Sequence, residues 1–191
     1  SASIKIDGFK NALGVVPQDV FLFSDSILNN VKFGSNNPDI TQLEIDAACE
    51  TADILNTIKQ LEYGYETLLG ERGVNLSGGQ KQRLSIARSL LRNPEILVLD
   101  DCLSAVDTET EDKILKELQK DKKERTTIIV SHRISTIRNA KHIIVIDEGT
   151  VIEQGSHSTL LKRKGFYFDL YKKQQSDLKD DMIDDGNEIG I

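Results

Sequence analysis

The chain has 191 residues, 38% of them hydrophobic and 29% charged, with a net charge of −7 at pH 7. That length holds one domain with a sizeable core, and the composition is that of a soluble globular protein rather than a disordered or fibrous one. No run approaches the ~18 apolar residues of a membrane span, and the acidic balance offers no basic surface for nucleic acid.

Cys49 and Cys102 lie far apart without a CxxC pattern, which gives neither a disulfide framework nor a zinc site and fits a reducing cytosol. Much of the negative charge sits at the end. Residues 176–191 hold Asp177, Asp180, Asp181, Asp184, Asp185 and Glu188 against Lys179, so residues 1–175 read as the folded domain and 176–191 as an acidic, disordered tail.

In chain order, strand-like runs end at turn or polar residues. They are 3–6 (SIKI) before "DG", 13–16 (LGVV) before "PQ", 96–99 (ILVL) before "DD", 127–130 (TIIV) before "SH", and 142–146 (HIIVI) before "DEG". Helical patterns fall between them. The stretch 41–61 opens with a capping box, Thr41 and Glu44, followed by Ala47, Ala48, Leu55 and Ile58 at helical spacing. A second, 107–120, is acidic at its start and carries Ile114, Leu115 and Leu118 on one face. Continuous apolar strands alternating with helices predict an α/β fold with a mostly parallel sheet covered by helices. Ligands of such sheets sit at the carboxyl ends of the strands.

Residues 76–80 read LSGGQ. Ser77 and Gln80 fit a capping box, and Leu84, Ala87, Leu90 and Leu91 follow as a buried stripe with Pro94 past the end. A capped helix explains this much. Two glycines in the first turn each cost roughly 1 kcal/mol of helix stability, however, and they leave bare N–H groups at the positive end of a helix dipole, where a phosphate can approach. A helix start and an anion site both fit. After the strand at 96–99 stand Asp100 and Asp101, adjacent carboxylates that repel unless a cation or solvent compensates; a strand-to-loop acid pair in water and a ligand for Mg²⁺ both fit. Gln18, Asp107 and His132 also follow apolar runs, whereas His142 and His157 read as structural.

In this order the pieces resemble the nucleotide-binding domain of an ABC transporter of the exporter type, over about residues 3–175, with a P-loop NTPase-like core and a helical signature subdomain. LSGGQ matches the family signature, ILVLDD at 96–101 the Walker B strand, SAVD at 104–107 the D-loop, and SHR at 131–133 the switch histidine. VVPQDVFLFSDSILNNVKFG at 15–34 matches the exporter Q-loop, and GERG at 70–73 the segment that exporters place near the transmembrane coupling helices. The resemblance implies an ATPase on the cytoplasmic face of a membrane that powers export through ATP-dependent dimerisation. It further implies ATP and Mg²⁺ as ligands, and as partners the transmembrane domains and a second nucleotide-binding domain. Ser77, Gly78, Gly79, Gln80, Ser104 and Asp107 would contact nucleotide, Asp100 and Gln18 the magnesium ion, and Asp101, His132 and Gln18 would serve hydrolysis. ATPases of chromosome maintenance and DNA repair share the signature but lack the exporter-like Q-loop segment and GERG.

Two departures stand out. The P-loop pattern G-x-x-x-x-G-K-[ST] does not occur in the chain, nor does an aromatic ahead of the IDG at 6–8 to stack on adenine, and the stretch from Gly8 to Gln18 is about ten residues shorter than the resemblance implies. The expectation is that the natural protein carries further residues, and that this chain alone binds ATP poorly and supplies a signature-side surface without catalysis. The second departure is Asp101, where well-hydrolysing exporters have Glu. Its carboxyl group is as acidic but one methylene shorter, and a misplacement near 1 Å costs ~100-fold in rate. Together with an intact signature, this resembles the degenerate-site subunit of heterodimeric exporters and predicts a non-identical partner.

Overall fold

The computed structural model describes residues 12–35, 37–70, 75–120 and 125–184, with side chains up to residue 177. The strand expected at 3–6, the IDG at 6–8, residues 71–73 of GERG and the last part of the tail lie outside the described residues. Contacts divide the chain into two compact units, Ser1–Val130 and Ser131–Ile191.

In the first unit, β1 (Leu13–Val16), β2 (Ile96–Asp100) and β3 (Thr126–Val130) form a parallel sheet in the order β1-β2-β3. Val16 pairs with Leu99, and Asp100 with Val130, so all three strands end at one edge. One row of side chains, Val16, Leu97 and Leu99, is at most 1% exposed and belongs to the core. The alternate row behaves differently: Val15, Ile128 and Val130 are 47–50% exposed. The expected covering by helices therefore holds, among the described residues, for one face.

The helices of this unit are α1 (Ile27–Lys32), α2 (Gln42–Thr51), α3 (Leu55–Gln60), α4 (Gly78–Leu91) and α5 (Thr108–Lys120). Ser26 caps α1 by accepting the Asn29 N–H at 3.1 Å. The Thr41–Glu44 capping box of α2 forms as expected, with Thr41 N–H donating to Glu44 Oε2 at 2.9 Å. The single helix expected over 41–61 is instead two. Asp53 adopts a left-handed φ of 52°, which an Asp tolerates better than most residues, and it ends α2 and redirects the chain into α3. The buried face of α2 is Ile45, Ala48 and Cys49, while Ala47 is exposed. Helix α4 buries Leu84, Ile86, Ala87, Leu90 and Leu91 at the centre of the core. Ile114 and Leu115 of α5 are buried against the same cluster, with Leu118 partly so.

The second unit comprises α6 (Ile134–Ile137), the antiparallel pair β4 (Ile143–Asp147) and β5 (Thr150–Gly155), α7 (His157–Arg163) and α8 (Phe166–Asp184). Its core is Ile134, Ile143, Leu160 and Tyr167. Helix α8 runs to Asp184, so the boundary expected at 175/176 falls inside a helix. His157 Nδ1 lies 2.8 Å from the Tyr167 hydroxyl, and the exposed His142 has its Nε2 3.3 Å from Gln154 Oε1.

Candidate functional site: a capped helix start against a carboxylate edge

Ser77 is extended, with φ −63° and ψ 164°. Its Oγ accepts the Gln80 N–H at 3.2 Å, and Gln80 Oε1 accepts the Ser77 N–H at 2.9 Å. The capping box holds both side chains and leaves the Ser77 hydroxyl proton to donate outwards. Ser77 and Gly78 are exposed, and the first-turn N–H groups of a helix have no partner within it, so the positive end of α4 is open to an anion.

The glycines differ from each other. A Cβ on Gly78 would stand 3.4 Å from Ala105 Cβ, an ordinary contact, whereas one on Gly79 would stand 2.7 Å from the Ala105 carbonyl oxygen. The sequence leaves both glycines open to a role in phosphate access; in the fold, Gly79 is also required by the close approach of segment 104–107. Gln82, one turn further and 7% exposed, accepts the Ala105 N–H on Oε1 at 3.0 Å and donates to Ser104 Oγ at 3.4 Å.

Asp100 ends β2 as an exposed residue, and Asp101 follows with φ 43°, donating its N–H to Val130 O at 2.9 Å. The left-handed turn diverts the chain away from the sheet immediately after the carboxylate pair. Because Val16 is in register with Leu99, Gln18 leaves β1 at the edge where Asp100 ends β2, and it is exposed. Among the described residues no group of three or more His, Cys, Asp or Glu side chains could hold a metal ion. Asp100 and Gln18 nevertheless offer hard oxygen donors of the type Mg²⁺ takes, the ion completing its shell with phosphate oxygens and waters.

Asp107 caps α5, its Oδ1 accepting the Thr110 N–H at 2.9 Å, and that hydrogen bond holds its carboxyl below the usual carboxylate range. In the second unit the His132 carbonyl accepts from Gln174 Nε2 at 2.7 Å, and Gln174 Oε1 accepts the Ile134 N–H at 2.9 Å. Gln174 therefore fixes the backbone around the histidine, a role with no signal at a separation of 42 residues. The sheet edge thus gathers Gln18, Asp100 and Asp101, and the start of α4 gathers Ser77–Gln80 against Ser104 and Ala105.

Beside these lies an open groove of about 220 Å³ lined by Phe21, Phe23, Gly70, Leu76 and Lys81, among others. Arg88 of α4 braces one wall. Its guanidinium donates to Phe21 O, Asn30 O and Asn30 Oδ1, each at 2.8 Å, and lies 5.6 Å and 5.9 Å from the ring centroids of Phe23 and Phe33.

The family model described as ABC transporter matches residues 2–104. The chain is 53% identical to the multidrug resistance-like ATP-binding protein MdlA of Buchnera aphidicola subsp. Schizaphis graminum, over 90% of this chain and 29% of that protein. It is 41% identical to the ATP-dependent lipid A-core flippase of Syntrophus aciditrophicus, over 98% and 30%. Among solved structures it is similar to a bacterial Atm1-family ABC exporter with ATP bound, with a TM-score of 0.84 and 44% identity over 90% of this chain and 30% of that one. The chain spans about 30% of the length of the curated relatives it matches. By the residues matched, and by the motif order from the sheet edge to the capped start of α4, the chain belongs to the ABC transporter family.

Proposed function

We propose that this chain is the ATP-binding and ATP-hydrolysing part of an exporter, acting at the cytoplasmic face of a membrane through ATP-dependent pairing with a second nucleotide-binding domain. One observation carries the reading: the open N-terminus of α4 and the carboxylate edge of the sheet lie in one unit, joined by segment 104–107, in a fold similar to an ATP-bound exporter. In this reading Ser77, Gly78, Gly79 and Gln80 meet the γ-phosphate of ATP held by the partner, while Ser104 and Asp107 face the dimer contact. Asp100 and Gln18 hold Mg²⁺, which supplies charge neutralisation on the phosphates. Asp101 accepts a proton from the attacking water, which Gln18 orients, and the family resemblance gives His132 a part in hydrolysis. The groove beside Phe21 and Gly70 receives the transmembrane partner; among the described residues no helix of this chain is long and apolar enough to cross a membrane.

The test is ATP turnover by the full-length protein in lipid with its partner. Asp100→Asn and Ser77→Arg should each lower turnover at least tenfold, the range in which single transition-state electrostatic contacts act. Unchanged turnover in both variants refutes the reading.

The shorter carboxylate at position 101 favours a finer proposal, that the partner is a non-identical subunit and that the ATP site containing Asp101 is the slow one. Asp101→Glu should then raise single-site turnover by up to ~100-fold, the penalty of a misplacement near 1 Å. An unchanged rate counts against a degenerate site.

A further inference from the structure

Ala105 is held on both sides of its backbone by α4. Its N–H donates to Gln82 Oε1 at 3.0 Å, and its carbonyl oxygen is packed so closely over Gly79 that a Cβ there would stand 2.7 Å away. Gln82 and Gly79 are three residues apart and share one helix face. The remaining amide hydrogens of Gln82 reach the same segment, with Nε2 donating to Ser104 Oγ at 3.4 Å. In the other direction, the Ser104 N–H reaches the Asp101 carbonyl at 3.4 Å, and the Asp101 N–H is bonded to Val130 O at 2.9 Å. A continuous path of hydrogen bonds thus runs from the end of β3, through the carboxylate turn, to the first turns of α4.

Gln82 is out of place on helix-packing grounds alone. It is 7% exposed and flanked by the buried Leu84, Ser85 and Ile86, where an apolar side chain would fill the space without desolvating an amide. Both of its hydrogen-bonding ends are used, and both partners lie in segment 104–107.

We propose that Gln82 is a positioning residue that locks segment 104–107 to the start of α4, so that the Asp100–Asp101 edge and the Ser77–Gln80 surface move as one body. The proposal rests on the reading above, in which the two surfaces serve different ATP sites. Gln82 is then the link by which occupancy of one site is felt at the other.

The experiment uses the full-length protein with its partner in lipid and compares Gln82→Leu, similar in volume but without polar atoms, with Gln82→Glu, which still accepts the Ala105 N–H and can accept from the Ser104 hydroxyl. Amide exchange of the peptide containing Ala105 and the kcat and KM for ATP are read on each. In Gln82→Leu the Ala105 amide should exchange about five- to tenfold faster, the effect of one lost hydrogen bond. Its kcat should fall about tenfold with KM within about twofold, the pattern of lost transition-state positioning. Gln82→Glu should restore both within about threefold of wild type. Unchanged Ala105 exchange in Gln82→Leu overturns the proposal, as does equal impairment of the two variants, which would mean that volume or packing is all that matters. If the wild-type protein itself turns over no ATP, the functional reading fails, and the exchange data still decide whether the lock exists.

Discussion

Replacing Gly78 and Gly79 separately by Ala distinguishes two reasons for having a glycine pair at the start of α4. Both positions gain helix propensity, up to about 1 kcal/mol relative to Gly. At Gly78 nothing opposes that gain, since the new Cβ meets Ala105 Cβ at 3.4 Å. At Gly79 the new Cβ stands 2.7 Å from the Ala105 carbonyl oxygen, a backbone atom that the Gln82 hydrogen bond also holds. Relieving such an overlap costs typically 1–3 kcal/mol, so the net destabilisation at Gly79 lies between about 0 and 2 kcal/mol, centred on about 1, after the propensity gain. For a chain of this size 1 kcal/mol corresponds to roughly 2–4 °C in Tm. Thermal unfolding should therefore show Gly79→Ala lower by that amount and Gly78→Ala unchanged or slightly higher. In the proposed reading, ATP turnover of the full-length protein should fall in both, because each methyl crowds the surface that would meet phosphate. Equal Tm values for the two variants would refute the packing argument; wild-type turnover in Gly78→Ala would refute the phosphate argument.

Further outcomes follow from the ionisable groups. The carboxyl of Asp107 is held below its ordinary value of 3.8 by the Thr110 N–H, so its contribution to stability is fully present above the unfolded value and is lost as pH falls through the folded one. Asp107→Asn keeps a capping oxygen but cannot titrate, and its stability should fall less steeply than wild type below about pH 4; identical acid limbs in urea melts would count against this. Burial pushes the Cys49 thiol up to about 11 and that of Cys102 up to about 12, so neither should react with an alkylating reagent at pH 8 until urea is added, and labelling of the native chain would contradict the buried placement.

The strands were legible wherever the signal was local. The apolar runs at 13–16, 96–99 and 127–130 became β1, β2 and β3 with shifts of at most one residue at either end. Strand β5 escaped because Thr150, Glu153 and Gln154 interrupt its apolar residues. Its signal lay in the turn: Glu148 and Gly149 both have positive φ, 46° and 75°, as a two-residue hairpin loop demands. The break between α2 and α3 escaped for a related reason, since helical spacing continues past Asp53 and only the backbone reveals the turn. In the site, the capping box and the acid pair were readable as patterns. The partners that fix them were not: Gln82 with Ala105, Arg88 with Asn30 and Phe21, and Gln174 with His132 are joined across 23 to 67 residues, where no periodicity reaches. At the end of the chain the acidic composition carried no signal for the length of α8, which continues to Asp184.

Arg88 tests whether the groove and the start of α4 belong to one rigid body. It stands ten residues beyond the first residue of α4, and its fork binds two carbonyls and a side-chain amide oxygen while lying over two aromatic rings. Arg88→Lys preserves the charge but presents one ammonium where three directed contacts existed, and it cannot stack as a plane. Asn30 is fully buried, so its Oδ1 would lose a charged donor, and the Phe21 carbonyl would lose its partner. Such losses cost roughly 2–4 kcal/mol together, or about 4–16 °C in Tm. With Phe23 released from the guanidinium, the groove wall loosens, and in the proposed reading ATP turnover should uncouple from transport in the full-length protein. A Tm within about 2 °C of wild type, corresponding to less than about 1 kcal/mol, would mean that Arg88 is a surface contact and that the groove and the helix are held together by apolar packing alone.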